Sequence, residues 1–284
     1  MKKRIIAAIV ASSMIMTVAG CSKTKTITVD SFSKAAESLG CDEVDPEDFE
    51  EDFTDDLEDG IYTVIDRDYI EDNEDNLEYS LKSYGLDDII DVDDVEGMAM
   101  LMKGSGFDDL EDVDDPDDIE DLKVDFAVVV TIELNNKIDV EDVMDELADK
   151  LDDADIEVDD LPSNEFYSSA SAGYFRENID IKDAVSIILD NDDVQDLLDN
   201  VDDADELTDV LEALSGQACI DFEVSQKSIT VAVGFGINTD ASTLASACNK
   251  LGLKNVTSFK TNSDLVEAIL DTVVKYYGSY AYYY

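Results

Sequence analysis

The chain has no histidine and no tryptophan, and its 19 Lys and Arg face 72 Asp and Glu across 284 residues. Without His, the Ser–His and Cys–His arrangements that activate nucleophiles cannot be built, and only Ser–Lys variants stay formally open. Zinc is poorly served for the same reason, because the four Cys are isolated from one another. The lack of Trp removes the commonest stacking platform for sugars. No Gly-rich phosphate loop is present: Gly104-Ser105-Gly106 lacks both the Lys and the strand–helix context. A net charge of −53 repels phosphate backbones, teichoic acids and anionic headgroups, so nucleic acid is excluded as a partner.

What the sequence does contain begins at its amino terminus. Lys2, Lys3 and Arg4 form a cationic start, and Ile5 to Ala19 then runs without a charge. That order is the one a secretory signal uses. The run is shorter than the roughly 20 apolar residues that span a bilayer. It closes on Val18-Ala19-Gly20-Cys21, which resembles the lipobox of bacterial lipoproteins. The resemblance covers residues 1–21 only. It implies cleavage between Gly20 and Cys21, a diacylglyceryl thioether on Cys21, and acylation of the new amino terminus in many bacteria. The chain is then expected to sit on the extracytoplasmic face of a cell membrane, held by lipid. The outer face of a Gram-positive membrane is the preferred site, since a short tether needs no second membrane.

Removal of residues 1–20 leaves 264 residues with 16 basic side chains against 72 acidic ones. That length suits one or two domains with a real core. A hydrophobic content of 44 % and regular apolar patterning argue against a wholly disordered chain. Residues 21–26 read as a tether of about 20 Å at most, so the body sits close to the bilayer. Lys23 and Lys25 fall where anionic headgroups attract them, by roughly 1 kcal/mol each. Three Cys remain after lipidation, an odd number that excludes complete pairing. Cys219 is placed on the face opposite the apolar neighbours of Ile220, and Cys248 on a helix expected to cover that apolar face; buried free thiols follow.

Along the body, Asp30 reads as the cap of a helix to Leu39, with Phe32, Ala35, Ala36 and Leu39 on one face and Gly40 as the stop. Residues 42–59 carry 12 acids, with Phe49, Phe53 and Leu57 at spacing four, and read as an acidic amphipathic helix or a loose loop. Segments 60–65, 77–81 and 97–102 have strand composition. Residues 108–121 place ten carboxylates in fourteen positions around Pro116 and read as a linker or excursion. They divide an N-terminal region, 27–107, from a C-terminal one, 122–284. Val124 to Leu134 predicts a strand covered on both faces. A helix over 140–151, a strand over 166–175, and acidic helices near 181–189, 192–199 and 203–214 follow, with Gly216 stopping the last.

The clearest local pattern comes next. Ala218, Ile220, Phe222 and Val224 alternate, Ser225 to Ser228 turns the chain, and Ile229, Val231, Val233 and Phe235 answer them. A hairpin with both apolar sets on one face is the prediction. A helix over 241–251, a strand over 255–260 and a helix over 263–275 complete the body. Leu39-Gly40 and Leu251-Gly252 echo one another, which reads better as the common way to leave a helix than as a repeated unit. The expected fold class is α+β, mainly antiparallel sheet with peripheral acidic helices, in one or two domains.

Metal sites fare poorly. In Asp91-Val92-Asp93-Asp94-Val95-Glu96-Gly97 an apolar residue stands at the fifth position of a would-be EF-hand loop and Gly comes one place late. Loose Ca²⁺ or Mg²⁺ association with the runs at 42–59 and 108–121 is what survives. A carboxylate pair able to hydrolyse a glycoside has no signal among 72 acids. Six of the twelve Tyr lie in the last nine residues, Tyr276, Tyr277, Tyr280, Tyr282, Tyr283 and Tyr284, a tail that either docks on its own domain or binds a protein or glycan. No catalytic, cofactor-binding or metal-ligating residue is assigned; Cys21 is the one assigned site. The expected function is a non-enzymatic lipoprotein that acts by binding or as an envelope component. A low-affinity divalent-cation protein is the alternative, and a carboxylate hydrolase the remote one.

Overall fold

A computed structural model describes residues 26–46, 58–74, 77–78, 90–107, 122–152, 158, 161, 165–190 and 204–253. Eight strands lie in one sheet: β1 (Asp42–Glu43), β2 (Ile61–Ile65), β3 (Val95–Ser105), β4 (Val124–Leu134), β5 (Phe166–Tyr167), β6 (Ala172–Asp180), β7 (Gly216–Ser225) and β8 (Ser228–Ile237). Their order is β1-β2-β3-β4-β8-β7-β6-β5. Every neighbouring pair is antiparallel except β1 with β2. The described helices are α1 (Val29–Ser38), α2 (Arg67–Asp72), α3 (Val140–Asp152), α4 (Ile181–Asp190), α5 (Ala204–Ala213) and α6 (Ser242–Leu251). The fold class is α+β with a mainly antiparallel sheet.

Strand β4 sits at the centre because its sequence is apolar on both sides. Ala127 and Val129 face one way, into a core shared with α1 and α6. Phe126, Val128, Ile132 and Leu134 face the other. Strand β3 pairs with it from Val95↔Leu134 to Ser105↔Asp125, and β8 pairs on its far side from Val124↔Ile237 to Glu133↔Ser228. Strands from before and after the acidic run at 108–121 therefore belong to one sheet. The run itself lies outside the described residues.

Two layers of helix cover the sheet. On the Ala127 face, α1 buries Phe32, Ala35 and Ala36, and α6 buries Leu244, Ala247, Cys248 and Leu251. The strand residues beneath them are small, with Ala99, Ala127 and Ala232 all at 1 % exposure or less. Gly234 continues this: a Cβ there would stand 2.7 Å from the Cβ of Leu244, so the helix approaches only because none is present. On the opposite face, Val140, Val143, Met144, Leu147 and Leu151 of α3 pack with Phe175, Phe222, Val224 and Ile229. Side chains of this kind contribute roughly 1.5–3 kcal/mol each when fully buried.

Long-range polar contacts fix the helix ends. Asp125 of β4 accepts from the backbone N–H of Ser242 (3.0 Å) and Thr243 (3.1 Å) and from the Ser242 hydroxyl, so a strand carboxylate caps α6. Thr28 caps α1 in a reciprocal box with Ser31, where the sequence pointed to Asp30. Both types cap well, and Ser31 at the third helical position decides between them. Asp30 instead stands in the first turn and pairs with Lys34.

The β7–β8 hairpin has the predicted register, with Ala218 opposite Phe235, Ile220 opposite Val233, Phe222 opposite Val231 and Val224 opposite Ile229. Other expectations are corrected. Residues 42–43 are a short edge strand rather than the start of an acidic helix, and residues 77–78 are helical rather than extended. The strand over 166–175 is a hairpin, because Ser169 accepts from Ala172 N–H (3.2 Å) and turns the chain between β5 and β6. Gly216 opens β7 instead of closing a helix, at φ +121°. The segments 47–57, 79–81, 192–199, 255–260 and 263–275, like the Tyr-rich tail, lie outside the described residues.

Gly40 and Gly252 adopt φ of +79° and +84° straight after their helices, the left-handed exit that glycine permits. The two helices that these glycines leave, α1 and α6, pack on the same face of the sheet.

The two left-handed classes of glycine separate in cost. At Gly216 an added Cβ would lie 1.9 Å from the Gly236 carbonyl oxygen, whereas at Gly252 it meets nothing within 4 Å. Gly216→Ala is expected to lose about 3 kcal/mol or more in urea unfolding. Gly252→Ala should lose only the backbone strain, about 1–2 kcal/mol.

Candidate functional site

Cys21, the assigned lipidation site, lies outside the described residues, as does the segment leading to it. The root of that segment is described. Thr26 Oγ1 lies 3.3 Å from Ser225 Oγ, and Ile27 N–H donates to Ser228 Oγ at 3.0 Å. Val29 N–H donates to Glu133 Oε2 at 2.8 Å. Ile27 itself is 2 % exposed within the core beneath α1. The body therefore takes hold of the chain at residues 26–29, on the β7–β8 turn and the end of β4.

The remaining thiols are chemically quiet. Cys41, Cys219 and Cys248 are buried and free. Burial first, and then the charges of Asp221 and Asp125, push the Cys219 thiol up to about 12. Burial likewise raises Cys248 well above its ordinary value, and raises Cys41 against the opposing pull of Lys103. At neutral pH these are thiols rather than thiolates, so none is an active nucleophile or a ready metal ligand. The free thiols agree with the sequence, but their placement corrects it. Cys219 and Cys248 share one core, because α6 packs on the Cys219 side of the hairpin and not on the Ile220 side.

The same face carries a buried ion cluster that the sequence did not reveal. Arg176 of β6 bonds Asp221 through Nε (3.2 Å) and Glu223 through Nη2 (3.0 Å), with side-chain exposures of 4, 0 and 8 %. Asp221 and Glu223 occupy the polar positions of the alternating β7, which the pattern alone would assign to solvent. Here both faces of the sheet are covered, and one guanidinium ties two carboxylates across adjacent strands. Removing Arg176 would strand buried charge, a defect worth about 3–5 kcal/mol. Buried as it is, the cluster holds strands together. At the sheet edge, Tyr167 stacks on Tyr174 with ring centroids 5.0 Å apart, and Tyr167 is 40 % exposed.

Among the described residues, no group of three or more His, Cys, Asp and Glu is placed to hold a metal ion. Asp91 and its neighbours, the imperfect calcium-loop match, are engaged otherwise: Asp91 caps a 3₁₀ turn by accepting from Asp93 N–H at 3.0 Å. No described helix is long and apolar enough to cross a membrane. No protein-family model matches the chain, and neither the curated proteins nor the solved structures return a match.

Burial of the thiols has a consequence at alkaline pH. An unfolded thiol near its ordinary value of 9 ionises before the folded Cys219 does at about 12. The unfolded state then binds fewer protons, so stability that is intact below pH 9 declines as the pH rises toward 12. Tyr62 acts in the same sense, raised to about 12 by burial and by Glu43 beside its hydroxyl. Thiolate ultraviolet absorbance in the native protein is expected to stay low above pH 9 and to appear together with loss of the circular dichroism signal. Absorbance rising around pH 9 with the fold intact would contradict the placement of the thiols.

Proposed function

We propose that the protein is a non-enzymatic lipoprotein, held through lipid on Cys21 to the extracytoplasmic face of a cell membrane. Its acidic body would act there by binding or as a structural part of the envelope. The observation that carries this reading is the ordered series Lys2-Lys3-Arg4, an uncharged apolar run, and Val18-Ala19-Gly20-Cys21.

Three features support it. The body takes hold of the chain at Thr26, only five residues past Cys21, so a lipid on that thiol keeps the fold within about 18 Å of the bilayer. The charge of −53 suits an extracytoplasmic surface that must stay soluble and avoid nucleic acid. The chain has no His to activate a nucleophile, and the described thiols Cys41, Cys219 and Cys248 are buried with raised pKa. The preferred setting is the outer face of a Gram-positive membrane.

The test is chemical. Mass spectrometry of the amino-terminal peptide from native protein should recover Cys21 as the first residue, carrying two fatty-acid chains. Cys21→Ala should move the protein from the membrane fraction to the soluble one while the melting curve of the body is unchanged. An intact Met1, or a bare thiol at Cys21 in membrane-associated protein, would overturn the assignment.

A further inference from the structure

Three turns that are far apart in sequence meet at the end of the sheet where the chain is gripped. They comprise residues 135–138 after β4, 168–171 between β5 and β6, and 225–228 between β7 and β8. Hydrogen bonds join them into one tip. Lys137 Nζ donates to Gln226 Oε1 (2.6 Å), Gln226 Nε2 to the Ala170 carbonyl (3.2 Å), and Lys227 Nζ to the Asn135 carbonyl (2.6 Å). Backbone bonds from Leu134 to Lys227 and from Ile138 to Gln226 fix the same arrangement. Thr26 reaches this tip at Ser225.

The composition of the tip is opposite to that of the chain. Of 284 residues 72 are acidic, yet none of these twelve is. They are Ser, Asn, Ala, Gln and Ile with two lysines, Lys137 and Lys227, both exposed. Carboxylates stand at its border: Glu133 lies opposite Ser228 and accepts from Val29 N–H, Asp94 accepts from Asn136 Nδ2, the Asp93 carbonyl accepts from Asn135 Nδ2, and Asp139 follows Ile138. Helix α6 is likewise free of acids, but these turns are the acid-free stretch that lies where Thr26 and Ile27 are held.

We propose that this tip is a lipid-contacting surface: it rests on the anionic headgroups of the membrane that holds Cys21, and the acidic body points away. The inference rests on the lipoprotein reading and extends it. An acidic body held within about 18 Å of an anionic surface is repelled unless the end presented to the surface lacks carboxylates. The strands then stand away from the bilayer, and their far ends lie about 30 Å further out. That far rim, rather than the tip, is what remains open to a partner.

The test uses full-length lipidated protein in vesicles whose headgroups carry a nitroxide quencher. A fluorophore is placed on the tip by Ala170→Cys, or on the far rim by Asp240→Cys; both positions are exposed and the native body thiols are buried. In vesicles containing phosphatidylglycerol, quenching at 170 should exceed that at 240 severalfold, because nitroxide quenching needs near contact and the two ends lie about 30 Å apart. The contrast should shrink in vesicles of phosphatidylcholine alone and in the double variant Lys137→Glu, Lys227→Glu. Equal quenching at the two positions, or a contrast independent of anionic lipid, would overturn the proposal. The neutral-vesicle comparison needs no charge reversal, so it holds even if the double variant folds poorly. Mass spectrometry of the amino-terminal peptide from the same samples separates the two readings. Lipid on Cys21 with equal quenching removes the tip contact and leaves the anchoring, whereas a peptide without lipid removes both.

Discussion

The pairing of β4 with β8 is the constraint on which the remainder of the structure depends. It joins a sheet half built from residues before 134 to one built from residues after 166, over ten register pairs. Neither half has a complete core without it. The Ala127 and Val129 side of β4 is closed by α6, which follows β8, and by α1, which precedes β1. The Ile132 and Leu134 side is closed by α3, which spans from β4 toward β6. Even the carboxylate that caps α6 comes from β4. Thr131 and Thr230 exchange a buried hydrogen bond across the same pair, which penalises any slip in register.

Few of the charges in a chain with a surplus of 53 negative ones are buried at this centre. The described core is aliphatic, aromatic and small-residue, and its one buried ion cluster brings an arginine to two acids. The repulsion is therefore borne by exposed helices and turns, where water and counterions screen it over about 10 Å. A fold of this kind tolerates extreme acidity because most described carboxylates stay off the two layers of packing, with Asp125, Glu177, Asp221 and Glu223 as the buried exceptions. The tip formed by the turns near Ser225 departs from the acidic rule where the chain is gripped.

The sequence was most legible where a single period decided the outcome. The β7–β8 hairpin could be read residue by residue because eight apolar positions alternate around a four-residue turn. Strand β4 could be read because Val128 to Ile132 is a continuous β-branched run that supplies both faces of the strand. Reading failed where alternation had to say which side was covered. Cys219, Asp221 and Glu223 look like a solvent face, but α6 and an arginine from β6 bury it. The turn at Ser168 to Ser171 was hidden inside an apparently continuous strand, because small polar residues suit either state. The partners of Arg176 had no signal among 72 acids. The proposed lipidation of Cys21 rests on contiguous residues alone. The acid-free tip is assembled from three separate segments, so only the strand order reveals it.

The account stands or falls on the two halves being one cooperative unit. Native-state amide hydrogen exchange across a series of urea concentrations measures this directly. Amides of β3, β4, β7 and β8 are predicted to exchange slowest, and to merge into one isotherm that follows global unfolding. Exchange of β2 and β3 through a separate, lower-energy opening while β6 to β8 stay protected would show that the halves fold independently, and would contradict the account.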